Sequence, residues 1–468
     1  MKKHSIQTRR ISLALLLFSL AAAPALAASP NFVVMIADDC TFSDLGCYGG
    51  QANTPNMDRL CKQGMQFDRC FQAAPMCSPT RHALYTGIYP VRSGAYPNHT
   101  FVTPGIPSIA HYLKAAGYRV ALSGKTHINP PESFPFEYSK GTTEIGKGNN
   151  PDWPVIDTML GECQKSSTPF CLFICSNEPH TPYTHGDPSV YDPKTLTLPP
   201  HYVDTPATRE AFQKYLAEVS FFDKQVGICL DLLDQHKLTE ETLLIVLSEQ
   251  GNSFPFAKWT CYDAGLQSGM IVRWPGKVEA GSRTGAMVEY VDVVPTLLQA
   301  AGQKKPRAVE GKSFLPLLTG DQDHHKQYSF GVQTSRGINN GPESYGIRSV
   351  RSERYRYILN LSPDVAFQNA IFNTGWWKTW EEKAASGNKQ AMARLQRYIQ
   401  RPAVEFYDCQ ADPWNLENLA GNPEHKQVQQ QLAKELQRWM KSQGDLGQET
   451  EMAAKEHQWR NRSKKERP

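Results

Sequence analysis

Four short apolar runs, Phe32–Ala37, Arg119–Leu122, Phe170–Cys175 and Thr242–Leu247, constrain this chain more than any other feature of its sequence. Each is nearly unbroken in apolar character, as a strand buried on both faces has to be. Amphipathic helical patterns lie between them, at about Pro55–Gln63, Ile106–Ala116 and Thr208–Gln235. Strands alternating with helices predict an α/β domain built on a largely parallel sheet. Every run also ends in a polar cluster: Asp38-Asp39, Gly124-Lys125-Thr126-His127, Asn177-Glu178-Pro179-His180 and Ser248-Glu249-Gln250. In open α/β sheets ligands bind beyond the carboxyl ends of the strands, so these distant clusters are expected to converge on one site.

Gly269–Trp274 reads as a further strand and Val291–Ala301 as a helix. From about Lys326 the texture changes to short aromatic and Arg-rich strands, Gly346–Val350 and Tyr355–Asn360. Helical stretches follow near Trp376–Ala384 and Lys389–Gln400, and a last helix fits Pro423–Ser442. The expected division is a main α/β domain over 28–325 and a smaller C-terminal subdomain over 326–445 covering one edge of it. Residues 446–468 are expected to be a basic tail, frayed over its last 18 residues.

Charge enters the argument through its location. The chain has 50 basic and 46 acidic residues, and the whole excess of four is Lys2, Lys3, Arg9 and Arg10. Those four begin a segment, Met1–Ala27, with the three parts of a secretory signal: a basic start, an apolar stretch from Ile11 to Leu20, and Ala25-Leu26-Ala27 for cleavage. The apolar stretch is too short to span a membrane, so no stable membrane insertion is expected. Arg9-Arg10 leaves both Sec and twin-arginine export open. The expected location is periplasmic or secreted. The remainder balances at 46 against 46, which disfavours a nucleic-acid binder, because phosphate neutralisation needs a basic surface. With 40% hydrophobic and 21% charged residues the chain can bury a large core.

Eleven cysteines are an odd number for an exported chain, so at least one is unpaired or otherwise used. Cys171 and Cys175 share one face of a strand, about 13 Å apart by strand rise, and are too distant to bridge each other. The informative cysteine is Cys77, in Pro75-Met76-Cys77-Ser78-Pro79-Thr80-Arg81. Thr80–Thr86 reads as helical, which places Cys77 just before a helix N-terminus, where the dipole favours an anion. An ordinary buried cysteine has the same local pattern. Cys77-x-Pro79-x-Arg81 resembles the C-x-P-x-R signature of type I sulfatases, in which the cysteine is oxidised to Cα-formylglycine by a separate maturation enzyme. The resemblance implies an alkaline-phosphatase-like α/β sandwich with a large mostly parallel sheet, plus a C-terminal subdomain with an antiparallel sheet and a helix. It also implies that the hydrated aldehyde at position 77 is the nucleophile, dividing one hard displacement into two easier ones.

The rest of the family pattern follows in order. Asp38-Asp39 matches the family's Asp-Asp pair, and the resemblance implies calcium held by Asp38, Asp39, Glu249, Gln250 and position 77. Carboxylate and amide oxygens suit calcium, with no His or Cys required. The family carries Asp followed by Asn or His where this chain has Glu249-Gln250, each one methylene longer in the same carboxylate-then-amide order. By resemblance Arg81 faces the formylglycine hydroxyls, while Lys125 and His127 contact formylglycine and sulfate. His180, in Pro179-His180-Thr181-Pro182, contacts sulfate and helps protonate the leaving group. Lys258, in Phe254-Pro255-Phe256-Ala257-Lys258, binds sulfate or acts as general acid. Fixed cations of this kind stabilise charge that builds on sulfuryl and leaving oxygens.

The short interval from Gln250 to Lys258 is similar to the sulfamidase (heparan N-sulfatase) branch. So are Tyr345–Val350, Glu405-Phe406-Tyr407-Asp408, Asp412-Pro413 and Asn418-Leu419-Ala420. The expected substrate is a sulfated polysaccharide or oligosaccharide, as O-sulfate ester or glucosamine N-sulfate. His99, Tyr183, His185, Arg336 and Arg348 are candidate subsite residues. Two other readings use the same residues: a phosphoester or phosphonate hydrolase of the same fold, and a non-catalytic glycan-binding homologue.

Overall fold

The computed structural model describes residues 29–139 and 150–461, so the signal segment Met1–Ala27 lies outside the described residues. Eight strands form the main sheet: β1 Asn31–Ile36, β2 Met65–Phe71, β3 Arg119–Gly124, β4 Glu137–Tyr138, β5 Phe170–Cys175, β6 Thr242–Leu247, β7 Gln267–Arg273 and β8 Ser282–Glu289. Their order is β4-β3-β5-β1-β6-β7-β2-β8. The first five in that order are mutually parallel; β7 runs antiparallel to both β6 and β2, and β2 is parallel to β8.

β1 shows why the apolar runs had to be strands buried on both faces. Phe32, Val34 and Ile36 enter one apolar cluster, with Leu84 and Tyr85 of the helix Cys77–Thr86 and Leu297 of Val293–Ala300. Val33, Met35 and Ala37 enter the other, with Phe212, Leu216 and Val226 of the helix Pro206–Gln235. Successive side chains leave a strand on opposite faces, and both faces are covered by helices. Cys171 and Cys175 lie together in the first cluster, fully buried, and all eleven cysteines are free thiols.

The second sheet is antiparallel, with β9 Ser329–Thr334, β10 Gly346–Arg351, β11 Tyr355–Asn360 and β12 Val404–Asp408 in the order β12-β11-β10-β9. The helix Lys426–Gln443 lays Leu432, Leu436, Trp439 and Met440 on it, beside Val332, Val350 and Phe406. The small sheet joins the large domain where the Val332 N–H donates to the Ala73 carbonyl at 2.8 Å, in the segment that leads to Cys77.

Two expectations need correction. The helix around Arg81 starts at Cys77 itself, with Met76 as its cap, and Pro79 lies in its first turn. Proline is tolerated there because first-turn N–H groups have no intrahelical partner. Within the expected frayed tail, residues 451–461 are ordered against the body, and 462–468 lie outside the described residues. Gln448–Ala453 is a helix, Ala454–His457 and Trp459–Asn461 are 3-10 turns, and Glu451, Ala454 and Gln458 are buried. This segment adheres by backbone bonds and buried polar side chains, which an apolar periodicity does not display. Among the described residues no helix is long and apolar enough to cross a membrane.

Candidate active site

The strand ends meet in register. The Ser176 N–H donates to the Ile36 carbonyl at 2.9 Å and the Lys125 N–H to the Cys175 carbonyl at 2.9 Å. The Ala37 N–H reaches the Leu247 carbonyl at 3.0 Å and the Asp38 N–H the Glu178 carbonyl at 3.1 Å. All four polar clusters therefore open over the carboxyl edge of β3, β5, β1 and β6. Three backbones turn left-handed there, Asp39 at φ 66°, His127 at φ 55° and Glu249 at φ 65°. Non-glycine residues in that region cost roughly 1–2 kcal/mol each, a strain that a site retains and a plain loop sheds.

Asp38, Asp39 and Glu249 are fully buried, and one oxygen from each lies within 4.8 Å of the others. Arg81 reaches them along the helix that Cys77 begins, with Nη2 2.8 Å from Glu249 Oε1 and 3.7 Å from Asp38 Oδ1. Its guanidinium also donates to the carbonyls of Lys125 and Ala37. Lys125 Nζ pairs with Asp38 Oδ2, and Lys258 Nζ stands 2.5 Å from Asp39 Oδ2. Lys258 arrives because Gln250–Lys258 folds back on itself, the Lys258 N–H donating to the Asn252 carbonyl at 3.0 Å, and a Cβ on Gly251 would come within 1.9 Å of the Ala264 carbonyl oxygen. The Trp259 N–H then donates to the Pro75 carbonyl at 3.0 Å, fastening this segment to the one before Cys77.

Glu249 Oε2 accepts the Asp39 N–H at 3.2 Å, and Gln250 Nε2 donates to Asp39 Oδ1 at 2.6 Å. Three buried oxygens are left without a hydrogen-bond donor among the described residues: Asp38 Oδ1, Glu249 Oε1 and Gln250 Oε1. Glu249 Oε1 has the Arg81 charge nearby but no aligned hydrogen bond. Burying oxygens in this condition is costly unless a cation satisfies them. Two carboxylates, an amide and the adjacent Asp39 are the hard-oxygen set that calcium takes, so these residues fit the ion.

Charge at the site divides unevenly. Burial works to raise the Asp38 carboxyl, but Lys125, with His180 and Arg81, holds it well below the ordinary carboxylate range. Burial pushes Glu249 well above its ordinary value in spite of Arg81, because Asp38 lies against it. Burial also raises the Cys77 thiol, to about 11, although Lys125 and Lys258 oppose it. At neutral pH position 77 thus carries a thiol, a weak nucleophile. Burial and Lys125 drive His127 well below its ordinary value, and burial with Lys258 lowers His180. His180 Nδ1 lies 2.7 Å from the Thr181 carbonyl, which only accepts, so Nδ1 carries the hydrogen. Nε2 then faces the cluster, 3.6 Å from Asp39 Oδ2, able to take up or release a proton.

Of the proposed subsite residues, His99 is in place, with its Nδ1 2.9 Å from His127 Nε2. Tyr183 stacks on Phe254 and has no hydrogen-bond partner for its hydroxyl among the described residues. His185 lies 3.4 Å from Glu178, and Arg336 3.1 Å from Glu343. Arg348 does not belong to the site: it is fully buried in the small sheet, with Nε 2.5 Å from Asp445. Ser253 was missed; its hydroxyl donates to Asp39 Oδ2 at 2.9 Å. Its position between Gln250 and Lys258 was the available signal.

A parallel sheet whose strand ends gather carboxylates, lysines and a helix-initial cysteine is the frame of an anion-ester hydrolase, and the sequence comparisons identify which. The sulfatase family profile matches residues 30–303, so the chain belongs to the sulfatase family and hydrolyses sulfate esters or N-sulfates. A second profile, N-sulphoglucosamine sulphohydrolase C-terminal, matches residues 251–364, as the resemblance to the sulfamidase branch implied. The chain is 32% identical to an ulvan-active sulfatase of Formosa agariphila over 429 residues, covering 90% of this chain and 82% of the relative. It is 25% identical to human N-sulphoglucosamine sulphohydrolase over 465 residues, 87% of this chain and 89% of that one. In fold it is similar to a solved complex of an enzyme with its substrate D-glucosamine-2-N,6-O-disulfate (TM-score 0.66, 19% identity, 90% of this chain and 99% of that one). A structure described as a putative sulfatase from Bacteroides fragilis gives a TM-score of 0.69 at 19% identity, covering 92% and 99%.

Proposed function

We propose that this sulfatase removes sulfate from a sulfated glycan outside the cytoplasm, using Cα-formylglycine at position 77 and calcium. The observation that supports this most is the meeting, at one edge, of Cys77 at a helix start, three donor-less buried oxygens and three paired cations. The relatives' names favour a glycan substrate, as ulvan-type O-sulfate or glucosamine N-sulfate. Met1–Ala27 reads as the export signal, giving a periplasmic or secreted enzyme.

In its hydrated form, formylglycine supplies one hydroxyl for attack on sulfur and a second whose deprotonation expels sulfate. Asp38, Asp39, Glu249 and Gln250 would hold calcium, which supplies positive charge to the sulfuryl oxygens. Arg81 fixes the carboxylates from within, through its ion pair with Glu249 and its hydrogen bonds to the Ala37 and Lys125 carbonyls just past β1 and β3. Lys125 and Lys258, each shared with an aspartate, offer their remaining donors to the sulfate. Lys258 and His180, which meet at the same oxygen of Asp39, are the sources of the proton the leaving oxygen requires, and His127, kept neutral, orients the sulfate. Cys77 is 3% exposed in the folded chain. The maturation enzyme therefore meets Cys77-x-Pro79-x-Arg81 before folding.

The deciding experiment is sulfate release by the full chain from defined glucosamine N-sulfate and ulvan oligosaccharides, with mass spectrometry of the Cys77 peptide. The expected result is calcium-dependent release, abolished by Cys77→Ala, and an aldehyde at position 77. A fully active protein with an unmodified thiol overturns the mechanism. A strong preference for phosphate over sulfate in paired aryl esters overturns the substrate class.

A further inference from the structure

The turn that carries His180 is held at both ends by polar side chains that take no part in the chemistry described so far. It leaves β5 through Ser176, whose hydroxyl accepts the Glu178 N–H at 2.9 Å. Asn150 holds this near end: its Oδ1 accepts the Asn177 N–H at 3.2 Å, and its Nδ2 donates to Glu178 Oε1 at 3.1 Å. Asn150 is held in turn by the helix Pro206–Gln235, where Gln225 Nε2 donates to the same Oδ1 at 3.0 Å. The far end of the turn rests on that helix about two turns earlier. There Glu218 Oε1 accepts the N–H groups of Thr184 and His185, the second at 2.9 Å. A Cβ on Gly186 would come within 2.1 Å of the Ala217 carbonyl oxygen, so the backbone lies directly on the helix. His185 joins the two ends, with its N–H on Glu218 and its Nε2 3.4 Å from Glu178 Oε1.

Glu218 is fully buried, and its second oxygen, Oε2, has no hydrogen-bond donor among the described residues. Its side chain is instead within hydrogen-bonding reach of the Glu178 carboxyl, itself 2% exposed. Two carboxyl groups can bond to each other only if one of them carries a hydrogen. Glu178 already accepts from Asn150 and faces His185, whereas Glu218 Oε2 has nothing to accept from, so the hydrogen belongs on Glu218. Burial, and beyond it the neighbouring Glu178, push the Glu218 carboxyl up to about 8 against the pull of the two N–H donors. A metal ion is not needed to satisfy the pair. Among the described residues three acidic, His or Cys groups converge only at Asp38, Asp39 and Glu249.

We propose that Glu218 is a positioning residue for sulfate release: as a neutral acid it takes the Thr184 and His185 N–H groups on one oxygen and donates from the other to Glu178. It thereby ties the two ends of the turn together and keeps His180 Nε2 aimed at the cluster. Tyr183, which lies between the anchors, stacks on Phe254, so the same tie seats the segment that brings Lys258 to the site. This rests on the sulfatase reading and goes beyond it, because Glu218 touches neither the sulfate nor any proposed metal ligand.

The test measures kcat and KM of the full chain on whichever glucosamine N-sulfate or ulvan oligosaccharide the wild type cleaves. Glu218→Leu, which keeps most of the volume and removes both contacts, is expected to lower kcat at least about tenfold with KM within about twofold. Misaiming a proton source costs turnover more than binding. Glu218→Gln, whose amide accepts at one end and donates at the other, is expected to recover most of that loss. The infrared difference spectrum between wild type and Glu218→Gln at neutral pH should show the carbonyl stretch of a neutral carboxylic acid, and it is readable even if Glu218→Leu does not fold. Wild-type turnover in Glu218→Leu, a glutamine variant as impaired as the leucine one, or a difference spectrum with only an ionised carboxylate overturns the proposal. A wild type that releases no sulfate overturns the sulfatase reading, and the spectrum then still decides whether Glu218 is the neutral acid.

Discussion

Two sets of buried carboxylates and basic side chains occur in this molecule, and they differ in what they leave unsatisfied. Around the small sheet, Asp263 is held by Arg351 and Arg356, Glu405 by Arg401, and Asp445 by Arg348. Every oxygen of these three carboxylates has a donor. Glu405 Oε1 takes Asn360 and Arg401 while Oε2 takes Tyr262 and Tyr407, and Asp445 Oδ1 takes Arg348 and the Gly447 N–H. The leftover charged groups on these pairs are donors, Arg356 Nη2 and Arg401 Nη1. At the strand ends one donor, Arg81 Nε, is left over beside three acceptors, Asp38 Oδ1, Glu249 Oε1 and Gln250 Oε1. Both sets contain ion pairs shorter than 3 Å, so a buried salt bridge by itself does not distinguish a site from a staple. What distinguishes them is the gathering of three spare acceptors within one carboxylate cluster, which calls for a cation as single leftover atoms do not.

The largest effect expected from this contrast is that of calcium removal. Chelation is expected to lower sulfate release at least about a hundredfold and to lower Tm, since a ligand at 100–1,000 times its Kd stabilises the fold by about 3–4 kcal/mol. Calcium should restore both, as read by sulfate assay and by thermal melting. Unchanged activity and Tm after exhaustive chelation would mean that the spare acceptors are filled in some other way.

The staple should respond to opposite treatment. Asp263→Asn leaves Arg351 and Arg356 buried without their carboxylate and is expected to cost about 3–5 kcal/mol in urea denaturation. Calcium affinity per folded molecule is expected to be unchanged. Loss of calcium binding with full stability would reverse the roles assigned to the two clusters.

Acid resolves the same staple more finely. Burial works to raise Asp263, but Arg351 and Arg356 bring it down to about 2 from an ordinary 3.8. Its folded value lies below its unfolded one, so its ionised form stabilises the fold above about pH 4. That contribution, about 2 kcal/mol, is lost as pH falls from 4 through 2. Wild-type stability should fall over that window more steeply than that of Asp263→Asn; parallel curves would sink the assignment.

How far this was legible in sequence follows from the kind of force involved. β1, β3, β5 and β6 were readable because strands covered on both faces need unbroken apolar runs, and their ends then located the site. β2 and β8 were not: Asp68 and Arg69 interrupt Met65–Phe71, and Ser282–Glu289 opens with Ser282-Arg283-Thr284. These strands lie toward the sheet edge, where Arg283 reaches Asp68 at 2.6 Å and polar side chains carry no penalty. Arg348 misled because an Arg in a sequence shows its charge and not its partner, and Asp445 lies nearly a hundred residues away. The return of residues 454–461 to His99 is made through backbone groups, which every sequence carries alike, and through the polar side chains of Thr100 and Gln458, which show no apolar periodicity.

Glu249 tests the contrast at its finest scale, because it belongs to both kinds of chemistry at once. One of its oxygens pairs with Arg81 at 2.8 Å like a staple, yet that oxygen accepts no aligned hydrogen bond. Glu249 and Asp39 both have left-handed backbones, and the extra methylene of Glu249 carries its carboxylate further from the chain than an aspartate would. Glu249→Asp therefore withdraws the carboxylate from the position that Arg81 and the cluster share. About a tenfold loss in calcium affinity and in sulfate release is expected, with Tm in excess calcium shifted by only a few degrees. If Glu249→Asp instead binds calcium more tightly than wild type, the longer side chain serves the Arg81 pair and weakens the metal cradle. Titration calorimetry on the two proteins separates these outcomes.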